Sequence, residues 1–374
     1  MTAHSELLEW AKAEGFQLNG IQPASISGCG TGIIASRKLM AHESVLRVPI
    51  RAIRSATTIT QELLRQTPSA MPLHGLLAAE LALDDTDTLA AWRHALPTMA
   101  DMTATIPQMW REELQNLLPS PARSLLEKQQ AKYQREWNMI SQAIPSLREE
   151  EFRYYWFVIN TRTFLHDVPE TQRYNWEDRL ALVPVADMFN HAESGCTVSY
   201  TPEHYTVTTD RAYEASEEVF VSYGDHSNDF LLAEYGFLMA NNCWDVISID
   251  DIVIPKLDEA SREELCRRDL LGKYMIHVEK GPCRRTLVAL RALCCPYEQW
   301  LQYVEGRDDG HGSQDTVNVL LCEVLGDLQR TIEEKLKMID ELCVSAPRQR
   351  DTLKQRWKQI ETTARQIATV YSLR

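Results

Sequence analysis

No apolar run in the 374-residue sequence reaches the roughly 18 residues that a bilayer-spanning helix needs, so no membrane span is expected. The N-terminal stretch Met1 to Trp10 interrupts its apolar residues with His4, Glu6 and Glu9, unlike the charged-then-apolar layout of a secretory signal. Positive charge is also short. Thirty-nine Lys and Arg stand against 53 Asp and Glu, a net charge of −14, which argues against a broad nucleic-acid or anionic-membrane surface. That balance suits a cationic partner such as a lysine-rich protein segment, although acidity also simply keeps proteins soluble. None of the nine cysteines forms a C-x-x-C pair, so no zinc-type spacing and no metal site is expected. Their scatter fits reduced thiols in the cytoplasm or nucleus. The sequence also lacks a phosphate-binding Gly-Lys-Ser/Thr loop, a spaced G-x-G-x-x-G, internal repeats and low-complexity tracts.

What is present reads as a soluble globular chain long enough for two domains, with 44% hydrophobic and 25% charged residues. Gly20 to Ile50 reads as short strands between turns, punctuated by Gly28, Gly30 and Gly32 and stopped at Pro49. Helical spacing then takes over across Leu73–Leu83 and Pro121–Ile140. Three consecutive acids open a helical stretch over Glu149–Leu165, with Phe152, Tyr155, Trp156 and Ile159 on its buried face. Strand patterns return at Ala181–Val185, Thr197–Tyr200, Tyr205–Thr209 and Glu218–Tyr223, the middle two as a hairpin around Pro202. From Glu259 onward helices are expected, with a long stripe from Val317 to Leu342 that packs internally or against another chain. A flexible loop is expected at Asp308–Ser313.

Three segments carry chemistry. The first is Gly28-Cys29-Gly30-Thr31-Gly32-Ile33-Ile34. The second is the apolar strand Leu182-Val183-Pro184-Val185-Ala186 running into Asp187-Met188-Phe189-Asn190-His191. The third is Glu218-Val219-Phe220-Val221-Ser222-Tyr223-Gly224, followed by Leu231-Leu232-Ala233-Glu234-Tyr235-Gly236-Phe237. In this order, with a long insert after the glycines, they resemble the motifs of SET-domain protein lysine methyltransferases. Within that family the chain is similar to the subgroup of Rubisco large-subunit and ribosomal-protein methyltransferases. Members have a SET core split by a helical insert, a helical substrate-binding lobe and no flanking zinc cysteines. Asn160-Thr161-Arg162-Thr163-Phe164 resembles the segment that closes the insert.

The resemblance implies an α+β fold: a SET domain over residues 1–250 with its helical insert at about 60–160, then an all-helical substrate-binding lobe over 251–374. It implies S-adenosyl-L-methionine as cofactor and a lysine-containing, non-histone protein as substrate. Tyr223 would be the catalytic tyrosine, and Phe164, Tyr235 and Phe237 would line the lysine channel. Gly30, Thr31, Gly32, Arg162, Asp187, Asn190 and His191 would form the cofactor site, with Asp187 bracing its turn. Arg162 has an alternative, a surface pair with Glu149–Glu151. The Asp84-Asp85-Thr86-Asp87 cluster could attract a basic target. Two other functions remain: a catalytically silent binding scaffold and a histidine methyltransferase. Oligomeric state cannot be read from the sequence.

Overall fold

The computed structural model describes residues 3–372 apart from 85, 87, 88, 170, 173, 344 and 345. The chain forms two compact units. The first comprises Met1–Met102 and Lys128–Asp225, the second Thr103–Glu127 and His226–Arg374. The changeover thus falls at Asp225/His226, not at the expected residue 250, and part of the insert joins the second unit. Hydrophobic burial explains this, because Leu232, Ile247 and Ile249 belong to the same core as Val288, Leu321 and Leu325.

The strands of the first unit are β1 (Gln17–Leu18), β2 (Ile21–Ile26), β3 (Gly30–Ala35), β4 (Ser44–Pro49), β5 (Arg54–Ser55), β6 (Thr163–Leu165), β7 (Leu180–Leu182), β8 (Asn190–Tyr200), β9 (His204–Thr208) and β10 (Glu218–Val221). Seven of them form one sheet in the order β1-β4-β9-β8-β10-β3-β2, and a small second sheet runs β5-β7-β6. The β8–β9 pair is the expected hairpin, with Tyr200 opposite Tyr205. The pairing of β8 with β10 is parallel, and its register jumps from Phe220↔Asn190 to Val221↔Cys196. That irregularity lays Asn190 beside the strand whose end carries Tyr223.

The helix Leu73–Leu83 buries eight of its residues, so it is apolar on nearly every side and packs within the unit. His74 and Glu80 are its polar members. Glu80 Oε2 is buried without a partner, and burial pushes the carboxyl up to about 7 despite nearby Arg54. Protonation therefore favours the folded state: this contribution is complete below the unfolded value and lost as pH rises through about 7. Glu80→Gln should stabilise the chain on the order of 2 kcal/mol at pH 8, allowing for partial exposure, and hardly at all near the unfolded carboxylate pKa. Urea unfolding at the two pH values checks the sign.

The second unit is helical, as expected, apart from a small sheet of β11 (Val246–Ser248), β12 (Met275–His277) and β13 (Gly281–Pro282). The stripe from Val317 onward lies on the helix Gln314–Glu341 and is covered by Leu353, Trp357, Ile360 and Ala364 of the helix Pro347–Ser372. It therefore packs internally. The segment expected to be a flexible loop is instead tied down: the buried Arg291 donates to Gly310 O at 2.9 Å and to Ser313 Oγ at 3.0 Å. A stretch rich in glycine and aspartate reads as mobile only until a buried guanidinium claims its carbonyl.

Candidate active site

The two motifs that the sequence separates by about thirty residues are laced together in the first unit. His191 Nδ1 accepts the backbone N–H of Tyr223 at 3.0 Å, and the two rings stack with centroids 5.1 Å apart. That bond requires a lone pair on Nδ1, which leaves Nε2 to carry the ring proton in neutral His191. Asn190 Nδ2 donates to Glu218 Oε1 at 2.7 Å, joining the start of β8 to the start of β10. The Tyr223 hydroxyl donates to Phe189 O at 2.7 Å. Its proton is thus directed to a main-chain carbonyl.

The turn before Asn190 is held from two sides. Asp187 lies in the short 3-10 turn Ala186–Met188, its side chain enclosed. Trp92 Nε1 reaches both of its carboxylate oxygens at 3.3 Å. Arg162 Nη1 donates to the Asp187 main-chain oxygen at 2.7 Å and sits 3.4 Å from Oδ2. Burial pushes the Asp187 carboxyl above its ordinary range, opposed by Arg162 and Trp92. Val185, just before this turn, has φ 71° and ψ −45°, a conformation costly for a β-branched residue. Asp187 thus faces Trp92 and Arg162 and braces the turn. Arg162 pairs with it, while Glu149 pairs with Arg153 and Glu151 with Arg148.

The glycine segment forms β3 on the other flank of β10, with Ile33 opposite Val219. A Cβ at Gly32 would fall 2.6 Å from Glu218 Oε1, 2.7 Å from Ile26 Cγ1 and 2.8 Å from Asn190 Nδ2, so a side chain there would have to displace the Asn190–Glu218 pair. Gly32→Ala is expected to weaken cofactor binding by about tenfold by forcing that pair apart, a cost on the overpacking scale of about 1–3 kcal/mol. Calorimetric titration with S-adenosylmethionine measures it. At Gly30, which adopts φ +84°, a Cβ would meet open space. Thr31 Oγ1 lies 3.3 Å from His4 Nε2.

These donors fit an amino-acid-bearing nucleoside cofactor. Arg162 Nε is buried with no partner and suits a carboxylate. Asn190 spends its amide N–H on Glu218, leaving its carbonyl oxygen for an ammonium. Open space over Gly30 lets a ligand approach the main chain closely. Among the described residues, no group of three or more His, Cys, Asp or Glu is placed to hold a metal ion.

The expected channel residues fall in both units. Phe164, on β6, packs its ring 5.5 Å from that of Tyr205. Tyr235 and Phe237 lie in the second unit with centroids 6.2 Å apart, and burial pushes the Tyr235 hydroxyl up to about 12. His226 stacks on Phe230 there at 4.0 Å. Sequence reading missed Trp92 and Glu218 as supports. Nothing in the pattern around Trp92 marks it, whereas Glu218 opens a motif strand and was a findable candidate.

The SET domain family profile matches residues 30–224, from the glycine strand to the residue after Tyr223. The chain belongs to the SET-domain family. It is 25% identical over 346 residues to the ribosomal lysine N-methyltransferase set11 of Schizosaccharomyces pombe, covering 87% of each chain. It is 22% identical over 336 residues to the actin-histidine N-methyltransferase of Papio anubis, covering 80% of this chain and 54% of that one. Its fold is similar to the crystal structure of the SET domain of LSMT bound to methyllysine and AdoHcy. There the TM-score is 0.67 at 14% identity, over 100% of this chain and 92% of the other. The split SET core with a helical C-terminal region is thus the fold of this chain. No helix among the described residues is long and apolar enough to cross a membrane.

Proposed function

We propose that this SET-domain chain transfers the methyl group of S-adenosyl-L-methionine to lysine side chains of a non-histone protein substrate. The observation that carries the reading is the Tyr223 hydroxyl, anchored on Phe189 O beside the Asn190-His191 turn. When bound, the cofactor supplies an electrophilic methyl on a sulfonium, whose sulfur departs as a neutral thioether without help from an acid. The residues of this chain then have three tasks: to align, to desolvate and to favour a neutral amine.

Alignment falls to Tyr223. With its proton on Phe189 O, the hydroxyl oxygen accepts an amine N–H and orients the nitrogen lone pair. Strong base catalysis is not required of it. Near pH 7.4 roughly one lysine amine in a thousand is neutral, a deficit of about 4 kcal/mol. Phe164, in the same unit as Tyr223, offsets part of it as an apolar surface that penalises the ammonium. Arg162 Nε and the Asn190 carbonyl hold the amino-acid end of the cofactor, Gly30 and Thr31 its approach over β3, and His191 keeps the Tyr223 strand in place. Asp187 acts through the turn it braces.

Two facts favour a basic substrate: the net charge of −14 and the ribosomal target named for the fission-yeast relative. Ribosomal proteins are the first substrates to test, in the cytoplasm or nucleus. Asp84 adds little attraction because it pairs with Arg93 at 2.5 Å, and its companions Asp85 and Asp87 lie outside the described residues. The helical second unit, residues 251–374 in particular, presents the substrate.

Purified chain incubated with tritiated S-adenosylmethionine and a ribosomal-protein extract should label discrete bands, with the methyl mapped by mass spectrometry to lysine ε-nitrogen. A methyl mapped to a histidine ring would overturn the lysine assignment. Cofactor binding without any labelling would leave the scaffold reading.

A further inference from the structure

The helix Arg284–Cys294 ends at a Cys-Cys-Pro sequence, and the proline decides how. A residue before proline is pushed out of the helical region, and Cys295 takes φ −107° and ψ 151°. Within a continuous helix, successive side chains point about 100° apart, and along a strand they alternate between faces. At the junction between the two, neither rule holds. The Sγ atoms of Cys294 and Cys295 come within 3.9 Å, both residues half-buried and neither in a disulfide. Burial, reinforced by the adjacent thiol, pushes the Cys294 thiol up to about 11 and keeps it protonated at neutral pH.

We propose that Cys294 and Cys295 form a dithiol site for trivalent arsenicals. Joining the two sulfurs directly would fit poorly. Neighbouring Cα atoms across a trans peptide are about 3.8 Å apart, inside the ~4.4 Å lower end of ordinary disulfides, and the sulfurs would have to close to about 2.05 Å. A bridging atom fits the existing spacing. Two thiolates on one tetrahedral centre with bonds of about 2.3 Å stand about 3.8 Å apart, and a pyramidal arsenic, with narrower angles, draws them somewhat closer without joining them. The step balances. An arsenoxide and two thiols give two As–S bonds and one water, which carries away the oxide oxygen and both thiol protons. Arsenic stays trivalent and nothing is oxidised.

Full-length chain treated with phenylarsine oxide should gain one phenylarsenic group per molecule in the intact mass. That adduct should survive excess glutathione, a monothiol, and be removed by dimercaptopropanol. Cys294→Ser and Cys295→Ser should each abolish the glutathione-resistant adduct, while Cys322→Ser retains it. Cys294→Ala, checked for native circular dichroism, repeats the test if a serine variant misfolds. Two results would overturn the site: a resistant adduct persisting in the variants, or none forming on the native chain. Ready closure to a 294–295 disulfide under diamide would overturn the preference for a bridge.

Discussion

Tyr223→Phe should lower methyl-transfer turnover by roughly 10²–10³-fold, the loss seen when one well-placed polar partner is removed from a transition state. Cofactor affinity should stay within about twofold, the scale of a few tenths of a kcal/mol, because the change leaves the aromatic face on His191 and the Tyr223 backbone N–H intact. What disappears is the oxygen that holds the amine, together with its bond to Phe189 O, worth about 1 kcal/mol of stability. Single-turnover transfer and calorimetric cofactor binding, run on the same preparation, separate the two effects. Turnover close to that of the native chain would remove Tyr223 from the mechanism.

Arg356→Ala should destabilise the second unit by about 3–5 kcal/mol, the largest stability effect expected of a single substitution in this chain. Arg356 is fully buried. Its Nε and Nη2 meet the two oxygens of Asp229 at 2.8 and 3.0 Å, and its Nη1 meets Asp245 at 2.7 Å. Removing the guanidinium strands two carboxylates in the interior, where neither has water to replace it. Urea unfolding measures the loss. A loss under about 1 kcal/mol would mean the trio contributes little.

Much of the candidate site was legible because the SET motifs are concentrated in three short segments. Gly30 and Gly32, Asp187 with Asn190 and His191, and Tyr223 all fall inside the family match over residues 30–224. Helix Leu73–Leu83 and the β8–β9 hairpin were likewise readable from local spacing and turn chemistry. Other features were not. The sequence reading gave His191 and Asn190 to the cofactor alone, and the fold also gives them Tyr223 and Glu218 as partners. Trp92 became a support of Asp187 from 95 residues away.

The sequence by itself determined the family, the candidate donor and acceptor groups and the order of strands and helices, because these depend on residue type and short-range periodicity. Tertiary structure alone decided three further things: which groups face each other, that residues 103–127 join the second unit, and that the Asp308–Ser313 loop is anchored. The physical reason is range. Propensity and turn chemistry act over a few residues, whereas burial and buried hydrogen bonds act between whichever segments the chain folds together.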